Sequence, residues 1–260
     1  MPKISVVTVN YNNKVGLKKT IQSVLSQDFN SKEFIVVDGA SNDGSVAIIE
    51  EYRNHFAFAC SEKDNGVFNA MNKGIEKATG DYVIFMNSGD VFYDAQSLGK
   101  LAAGAAEEPD FVYANVIFES ANQRREVVFP DVLTFSYLYR KFLPHQATLT
   151  KLRLLQKRGG YDEQYKITAD SAFIKREIAL MGATYKHVSA FTAICELGGM
   201  STDDERYGEQ RRKEKNNFWE KNFKLFLEDY QRLFQLEKEL THQKPPSMFK
   251  RIAKKILGYK

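Results

Sequence analysis

Short apolar runs rich in β-branched residues alternate with segments of helical periodicity throughout the first ninety residues. The runs that predict buried strands cover residues 4–9, 34–37, 56–60 and 82–86. Strand–helix alternation with short connections predicts an α/β fold, in which helices flank a mostly parallel sheet. Ligands bind beyond the carboxyl ends of the strands in such sheets. The residues that follow Val9, Val37 and Met86 are therefore the functional candidates.

After the first ninety residues, the sequence pattern indicates a less regular region that is followed by a polar, helical one. After Asp90 the pattern predicts strands over 111–118 and 126–129 and helices over 152–158 and 170–181.

From Ser201 onward, apolar side chains at steps of four and three form a stripe. Its members are Trp219, Phe223, Phe226, Tyr230 and Leu233. The stripe predicts a long helix that packs on the main domain, or on a second copy of the chain in a homodimer. We expect a main domain over residues 1–200, a helical extension over 201–243 and a tail over 244–260.

The composition is typical of a globular protein, with 43% hydrophobic and 27% charged residues in a chain of 260. The longest apolar runs are far too short to cross a bilayer, and the beginning of the sequence does not resemble a secretory signal. Two cysteines, Cys60 and Cys195, predict no disulfide framework and suit a reducing compartment. These features predict a cytoplasmic protein.

A polar cluster with one aromatic side chain follows the first predicted strand. Asn10, Tyr11 and Asn12 stand at the mouth of the predicted sheet, where an aromatic ring can stack on a nucleobase. The same segment can start a helix with Asn12 or Asn13 as its N-cap. The two roles are compatible.

The second strand ends in the segment VVDGASNDGS at residues 36–45. This segment has the outline of a phosphate-binding loop but lacks its lysine, and an EF-hand alignment puts Gly39 at the first ligand position. No G-x-G-x-x-G segment opens a helix, so dinucleotide binding lacks its fingerprint. What remains is a carboxylate, Asp38, that can accept a hydrogen bond from a pyrimidine ring N–H.

Two later segments supply Asp64, Asn72 and Asp90. Asp64 precedes a predicted helix, of which it is also a candidate N-cap, and Asn72 lies on that helix. Asp90 follows the fourth strand directly, where a carboxylate can hold a divalent cation bound to the diphosphate of a nucleotide donor. Oxygen ligands and diphosphate indicate Mg or Mn.

Four segments together resemble one known family. They are VVTVNYNN at 6–13, VVDGASNDGS at 36–45, EKDNGVFNAMNKGI at 62–75 and ATGDYVIFMNSGD at 78–90. Their order and spacing resemble the large inverting glycosyltransferase family with the GT-A fold, family 2. Within it they resemble bacterial enzymes that build capsule, exopolysaccharide or lipopolysaccharide. The resemblance covers roughly residues 3–200 and implies a Rossmann-like sheet flanked by helices.

The resemblance implies a donor site and a metal site. It places nucleotide and donor-sugar contacts at Asn10, Tyr11, Asp38, Asp64, Asn72 and Ser88. Of these, Tyr11 and Asp38 would contact the base, and UDP is the nucleotide that the resemblance favours. The metal motif of the family falls on residues 87–90, where Asp90 is the only carboxylate. Metal affinity would therefore rest on Asp90 and on the diphosphate itself.

The resemblance also implies an acceptor side. Asp170 stands where the family carries the carboxylate that takes the proton of the acceptor hydroxyl; its alternative role is a helix N-cap. His145 and Gln146 match an acceptor-side loop, and Glu196 begins a glycine-rich segment that resembles a closing loop. The processive members carry a Q-x-x-R-W motif and membrane helices, which this sequence lacks. We therefore expect a non-processive, inverting hexosyltransferase.

The last residues predict a membrane contact. Residues 244–260 contain six basic side chains and no acidic one. An apolar face is formed by Met248, Ile252, Ile256 and Leu257. A basic amphipathic helix suits the inner face of the plasma membrane, where a polyprenyl-linked acceptor would lie; the alternative is a solvated chain end. The rest of the chain is close to neutral, which argues against nucleic-acid binding.

Two other classes of protein stay open. A sugar nucleotidyltransferase has a similar sheet but carries a glycine-rich, arginine-containing loop after its first strand, which residues 10–13 do not provide. A degenerate GT-A-like binding or scaffold protein would suit the reduced metal motif, although Asp90 and Asp170 are both present. Slow release of nucleoside diphosphate from the donor without an acceptor would indicate a transferase.

Overall fold

The computed structural model describes the backbone of residues 1–242 and the side chains of residues 1–239. Within this range the strands are β1 (Ile4–Asn10), β2 (Lys32–Asp38), β3 (Phe58–Ser61), β4 (Tyr82–Phe85), β5 (Val91–Phe92), β6 (Phe111–Ser120), β7 (Gln123–Val127), β8 (Thr148–Lys151) and β9 (Tyr185–Glu196). The α-helices are α1 (Lys14–Leu25), α2 (Ser45–Glu51), α3 (Val67–Lys77), α4 (Ser97–Gly104), α5 (Phe135–Arg140), α6 (Leu152–Arg158), α7 (Ala169–Ala179) and α8 (Asp204–His242). Short 3-10 turns lie at Arg53–His55 and His145–Ala147. The predicted basic tail, 244–260, lies outside the described residues.

The chain divides into two compact units, Met1–Glu214 and Lys215–Lys260. The boundaries expected after residues 200 and 243 stay a prediction. Among the helices within residues 1–242, none combines the length and the apolar character that crossing a bilayer requires.

One sheet runs through the first unit in the order β3-β2-β1-β4-β8-β6-β9-β5, with β7 paired to β6. The first four of these strands are parallel, as the alternation predicted. Beyond them β8 runs antiparallel to β4 and β6, whereas β6 and β9 are parallel. The carboxyl ends of β1, β2 and β4 meet at one edge, where Asn10 lies opposite Asp38.

Helix α3 packs closely on strand β1 beneath that edge. Every residue of β1 is buried, and α3 buries Phe68, Met71 and Ile75. Burial of such large apolar side chains contributes about 1.5–3 kcal/mol each. A Cβ at Gly74 would overlap the side chain of Val7. Gly74→Ala would therefore push the helix away from the strand.

The helix α1 begins at Lys14 because Asn13 caps it. The Asn13 side chain accepts a 2.9 Å hydrogen bond from the Gly16 N–H, which satisfies one of the free donors of the first turn. Of the two asparagines that the sequence offered as N-caps, the structure uses Asn13.

The sequence pattern missed β5, β8, β9, α4 and α5, and it placed β7 over 126–129 instead of Gln123–Val127. β9 shows why. Its pairing with β6 has register shifts between Ala114 and Asn115 and between Asn115 and Val116. A bulge of this kind interrupts the two-residue alternation that identifies a strand in a sequence.

The part of α8 in the second unit contains the predicted aromatic stripe. Phe218 and Trp219 have ring centroids 5.0 Å apart, and Trp219 and Phe223 lie 4.9 Å apart. The backbone leaves helical geometry at Phe223, where φ is −134°. The helical phase changes there, and Phe226 and Leu233 further along are exposed. Packing of the stripe on a second copy of the chain stays a prediction.

Candidate active site

A cleft of about 390 Å³ opens at the carboxyl ends of β1 and β4. Its walls come from the segments after these strands, from α3, from the turn His145–Ala147, from the start of α7 and from the end of β9. The predicted site residues that line it are Ser88, Asp90, His145, Gln146, Asp170 and Glu196. The structure thus brings the predicted metal, base and acceptor-side residues into one cavity.

The Asp90 carboxylate is buried and held by two donors. Gln146 Nε2 donates to Oδ2 over 2.9 Å, and the backbone N–H of Glu196 donates to Oδ1 over 2.8 Å. Burial raises the pKa of the Asp90 carboxyl to about 6, although both hydrogen bonds and the nearby His145 oppose this shift. A bound cation would favour the charged form of this group.

The Glu196 side chain lies against the backbone of Gly89, in the segment that leads to Asp90. A Cβ on residue 89 would overlap the Glu196 carboxylate. The charge of Glu196 also contributes to the raised pKa of Asp90. The structure therefore places this carboxylate, which the resemblance assigned to the acceptor side, beside the candidate metal ligand.

The Asp170 carboxylate forms a pair with His145. His145 Nδ1 lies 2.8 Å from Asp170 Oδ2, and the two side chains are only 14% and 12% exposed. On the other side of the ring, Asn87 Nδ2 lies 3.2 Å from His145 Nε2. Asp170 lies in the first turn of α7, whose N-cap is Thr168, so the N-cap alternative for Asp170 is wrong.

The segment before Asp170 is held by Glu214, which is not among the predicted site residues. Its carboxylate accepts backbone N–H groups of Lys166, Ile167 and Thr168 over 2.8, 3.0 and 3.0 Å. It also accepts the Thr168 hydroxyl over 2.9 Å. No local pattern marks this role, because Glu214 is one of many glutamates on a polar helix.

The Asp38 carboxylate is fully buried and accepts four hydrogen bonds. The donors are Asn10 Nδ2, the Ser41 N–H, Ser41 Oγ and Ser61 Oγ, at 2.6–2.9 Å. Burial alone would raise the pKa of Asp38, but these hydrogen bonds outweigh it and hold the pKa below its ordinary value. Asp38 and Asn10 hold the loop after β2, and their contact with a nucleotide stays a prediction.

Tyr11 and Asp64 come together above Gly39. A Cβ at Gly39 would lie 2.5 Å from Asp64 Oδ2 and 3.2 Å from Tyr11 Cδ2. Asp64 Oδ1 accepts the N–H of Gly66, and Gly66 is the residue that precedes α3. The N-cap alternative for Asp64 is therefore wrong. The Tyr11 ring is 68% exposed, so one aromatic face is open at this edge of the sheet.

Asn72 does not line the cleft. Its Oδ1 accepts the Tyr161 N–H over 2.8 Å, and its Nδ2 donates to the Tyr161 carbonyl over 3.0 Å and to Glu163 over 2.9 Å. Glu163 also accepts from Asn69. The structure uses Asn72 to fasten the loop before α7 to helix α3. The donor contact predicted for Asn72 stays a prediction.

Residues 5–166 match the sequence model described as Glycosyl transferase family 2. The chain belongs to this family. This family 2 glycosyltransferase is 33% identical over 180 residues to an uncharacterized glycosyltransferase of Mycobacterium tuberculosis, a match that covers 67% of this chain and 68% of that protein. It is 31% identical over 212 residues to the PGL/p-HBAD biosynthesis glycosyltransferase of Mycobacterium bovis, covering 77% of this chain and 79% of that one.

Two solved structures are similar to this family 2 glycosyltransferase in fold. Residues 1–349 of Staphylococcus aureus TarS, in complex with UDP-GlcNAc, match with a TM-score of 0.64 and 22% identity, over 81% of this chain and 64% of that one. The mannosyltransferase PcManGT of Pyrobaculum calidifontis, in complex with GDP-Man and Mn²⁺, matches with a TM-score of 0.59 and 19% identity, over 81% and 60%. Both matches span less than two thirds of the solved chain. They confirm the predicted α/β class and GT-A fold.

Proposed function

We propose that this glycosyltransferase moves a single sugar from a nucleotide-sugar donor to a hydroxyl of a glycan or lipid-linked acceptor, with inversion, in the synthesis of surface polysaccharide such as capsule or lipopolysaccharide. One observation carries the proposal: the two carboxylates that this chemistry needs share one cleft. His145 contacts Asp170 over 2.8 Å, and the next residue, Gln146, contacts Asp90 over 2.9 Å.

Asp170 is the general base of the proposed reaction. One of its oxygens, Oδ2, is paired with His145, and Oδ1 has no hydrogen-bond partner among the described residues. A free carboxylate oxygen at the cleft can take the proton of an acceptor hydroxyl as that hydroxyl attacks the anomeric carbon. Attack on the face opposite the departing diphosphate is a single displacement, which inverts the anomeric configuration.

Asp90 is the proposed ligand for Mn²⁺ or Mg²⁺. Within the described residues no group of three or more histidine, cysteine, aspartate and glutamate side chains could hold a metal. However, the side-chain oxygens of Asn87 and Ser88 are buried next to Asp90 and have no hydrogen-bond partner in the described part of the chain. Neutral and charged oxygens of this kind suit a hard cation whose remaining ligands come from a diphosphate. When bound, the cation would stabilise the negative charge of that diphosphate.

The proposed nucleotide site lies around Tyr11 and Asp64. The exposed ring of Tyr11 offers a stacking surface for a base, and Asp38 and Asn10 support the loop beside it. UDP is the proposed nucleotide, and the structure of TarS, which holds UDP-GlcNAc, supports this choice. Ser88 completes the proposed donor side at the cleft.

We propose that the membrane surface brings the enzyme and a lipid-linked acceptor together. The basic tail at residues 244–260, which lies outside the described residues, would hold the enzyme on the inner face of the plasma membrane. His145, Gln146 and Glu196 line the cleft on the side where the acceptor is proposed to enter.

A screen of nucleotide-sugars in Mn²⁺ tests the proposal directly. A ligand that binds the native state raises its melting temperature, so UDP-sugars should stabilise the protein more than GDP- or ADP-sugars. The stabilising donor should then release UDP slowly in water. A donor that binds but neither releases its nucleotide nor transfers its sugar to an acceptor would contradict the proposal. That outcome would favour a binding or scaffold protein.

A further inference from the structure

We propose that His145 is a positioning residue for the general base, and that Asn87 fixes the tautomer in which it acts. In this assignment the His145 Nδ1–H donates to Asp170 and aims the other oxygen of that carboxylate into the cleft. The inference rests on the proposed function for its role in the reaction, whereas the contacts themselves stand on geometry alone.

The His145 ring is held on three sides. Nδ1 lies 2.8 Å from Asp170 Oδ2 and Nε2 lies 3.2 Å from Asn87 Nδ2. The ring also meets Phe85 edge to face, with centroids 6.4 Å apart and an interplanar angle of 85°. The side chain is only 14% exposed. A ring held this way presents one fixed nitrogen to each polar neighbour.

The neighbours decide which nitrogen of a neutral ring carries the proton. The side-chain nitrogen of Asn87 is a donor only, so Nε2 must be the acceptor. The proton of the ring is then on Nδ1, where it donates to the Asp170 carboxylate. Rotating the Asn87 amide by half a turn would place its oxygen, which is an acceptor, against Nε2. The proton of a neutral ring would then be on Nε2, and the unprotonated Nδ1 would face the Asp170 carboxylate. Two acceptors at 2.8 Å repel, so this arrangement is excluded for the neutral ring.

The same contacts separate a positioning role from a catalytic one. In a histidine–aspartate pair either member can take the proton of the substrate. Here Nε2 is engaged by Asn87, whereas Oδ1 of Asp170 has no partner among the described residues. The oxygen of Asp170 is therefore the acceptor open to a substrate hydroxyl.

The turn that carries His145 supports both halves of the site. Its next residue, Gln146, holds Asp90, so one short turn fixes the candidate base and the candidate metal ligand. Misplacement of a catalytic group by about 1 Å can lower a rate by about 10²-fold. Loss of the His145 contact should thus lower kcat without weakening the binding of the donor, which the proposed metal ligand Asp90 serves.

Imidazole ¹⁵N NMR of the full chain tests the tautomer. The His145 resonances, identified by their loss in His145→Asn, should show a protonated Nδ1 and an unprotonated Nε2 in the neutral ring. A protonated Nε2 with an unprotonated Nδ1 would overturn the assignment. This measurement needs no activity, so it remains decisive for the contact even if the wild-type protein transfers no sugar and the proposed function fails.

Three variants test the role in the reaction. His145→Ala should lower kcat by about 10²-fold with the donor KM within about twofold of wild type. His145→Asn should recover most of this loss, to within about tenfold of wild type, because its amide N–H can replace Nδ1–H. His187→Asn is the matched control, because His187 pairs with Asp131 over 2.7 Å away from the cleft, and its kcat should equal that of wild type.

Equal loss of activity in His145→Asn and His145→Ala would overturn the positioning role, because it would make the imidazole itself the proton acceptor. A rise in donor KM with unchanged kcat in His145→Ala would also overturn it, because it would make His145 a donor-binding residue. Circular dichroism of each variant confirms that the comparison is made on folded protein.

Discussion

Gln146 donates a 2.9 Å hydrogen bond to the buried carboxylate of Asp90, across 56 positions of the sequence. The backbone N–H of Glu196 occupies the other oxygen. This carboxylate is therefore oriented by the protein before any cation binds. A site whose groups are already oriented spends less of its binding free energy on ordering them.

The titration of Asp90 predicts a specific dependence of stability on pH. Its pKa is about 6 in the folded protein and 3.8 for an ordinary aspartate. The fold therefore favours the protonated form, and the stability that this provides is fully present below about pH 4 and is lost as the pH rises through about 6. The difference of about two pKa units amounts to about 3 kcal/mol.

Asp90→Asn removes the titrating group, so it should remove this pH dependence. Urea unfolding of wild type and variant, in chelator at pH 4 and at pH 8, measures it. Wild type should lose about 2.5 kcal/mol relative to the variant between these pH values. The same pH dependence in both proteins would contradict the raised pKa of Asp90.

Asp90→Asn should also abolish the enhancement of donor binding by Mn²⁺ while leaving the protein folded. The amide that replaces the carboxylate is neutral and a weaker ligand for a hard cation. Calorimetric titration of UDP with and without Mn²⁺ provides the measurement, and Glu196→Gln is the control that should keep the enhancement. Unchanged turnover and metal response in Asp90→Asn would refute the metal assignment. Equal loss in Glu196→Gln would show that Asp90 is not the only carboxylate on the metal.

Asp170→Asn should lower kcat by about 10²–10⁴-fold, because the amide keeps the shape of the side chain but cannot take a proton. Donor affinity should be nearly unchanged, since the base does not touch the nucleotide. Steady-state kinetics measure both quantities, and NMR of the product gives its anomeric configuration, which should be opposite to that of the donor. Near-normal kcat, or a product that retains the configuration of the donor, would rule out the single displacement.

Glu214→Ala should destabilise the first unit. It leaves the backbone N–H groups of residues 166–168 without their acceptor, and the loss of hydrogen bonds to a charged group costs about 1.5–3 kcal/mol. Urea unfolding followed by circular dichroism measures the loss. Glu209→Ala is the matched control: this glutamate lies on the same helix with its side chain 75% exposed, paired with Lys213. Equal effects of the two substitutions would show that Glu214 does not anchor the segment.

Truncation after Lys244 should abolish binding to vesicles that contain phosphatidylglycerol but spare turnover on a soluble acceptor. The removed residues carry a cluster of positive charge, and each basic residue near an anionic surface contributes about 1 kcal/mol. Vesicle sedimentation measures the binding, which should weaken as salt is added. Equal binding of the full-length and truncated chains would contradict the proposed membrane tether.

Strands β1 to β4 and the residues that follow them could be predicted from the sequence because their signals are local. A buried strand such as β1 is a continuous apolar run, and its period and length are visible in a few neighbouring residues. In a parallel sheet, adjacent strand ends also meet at one edge. The sequence therefore predicted the fold class and the edge at which the candidate site lies. Asp90 was a candidate from its place after a strand, and Asp170 was a candidate only from the resemblance to the family.

The contacts inside the site depended on the tertiary structure. His145 pairs with Asp170 across 25 positions and Gln146 with Asp90 across 56. Asn72, whose predicted donor contact stays a prediction, accepts a hydrogen bond from the Tyr161 N–H across 89 positions. Which donor satisfies which acceptor is decided by packing between distant segments, and the side-chain types at single positions do not encode it. Local periodicity placed Asp90 directly after a strand, whereas the packed fold brought Asp90 and Asp170 into one cleft and determined which groups orient them.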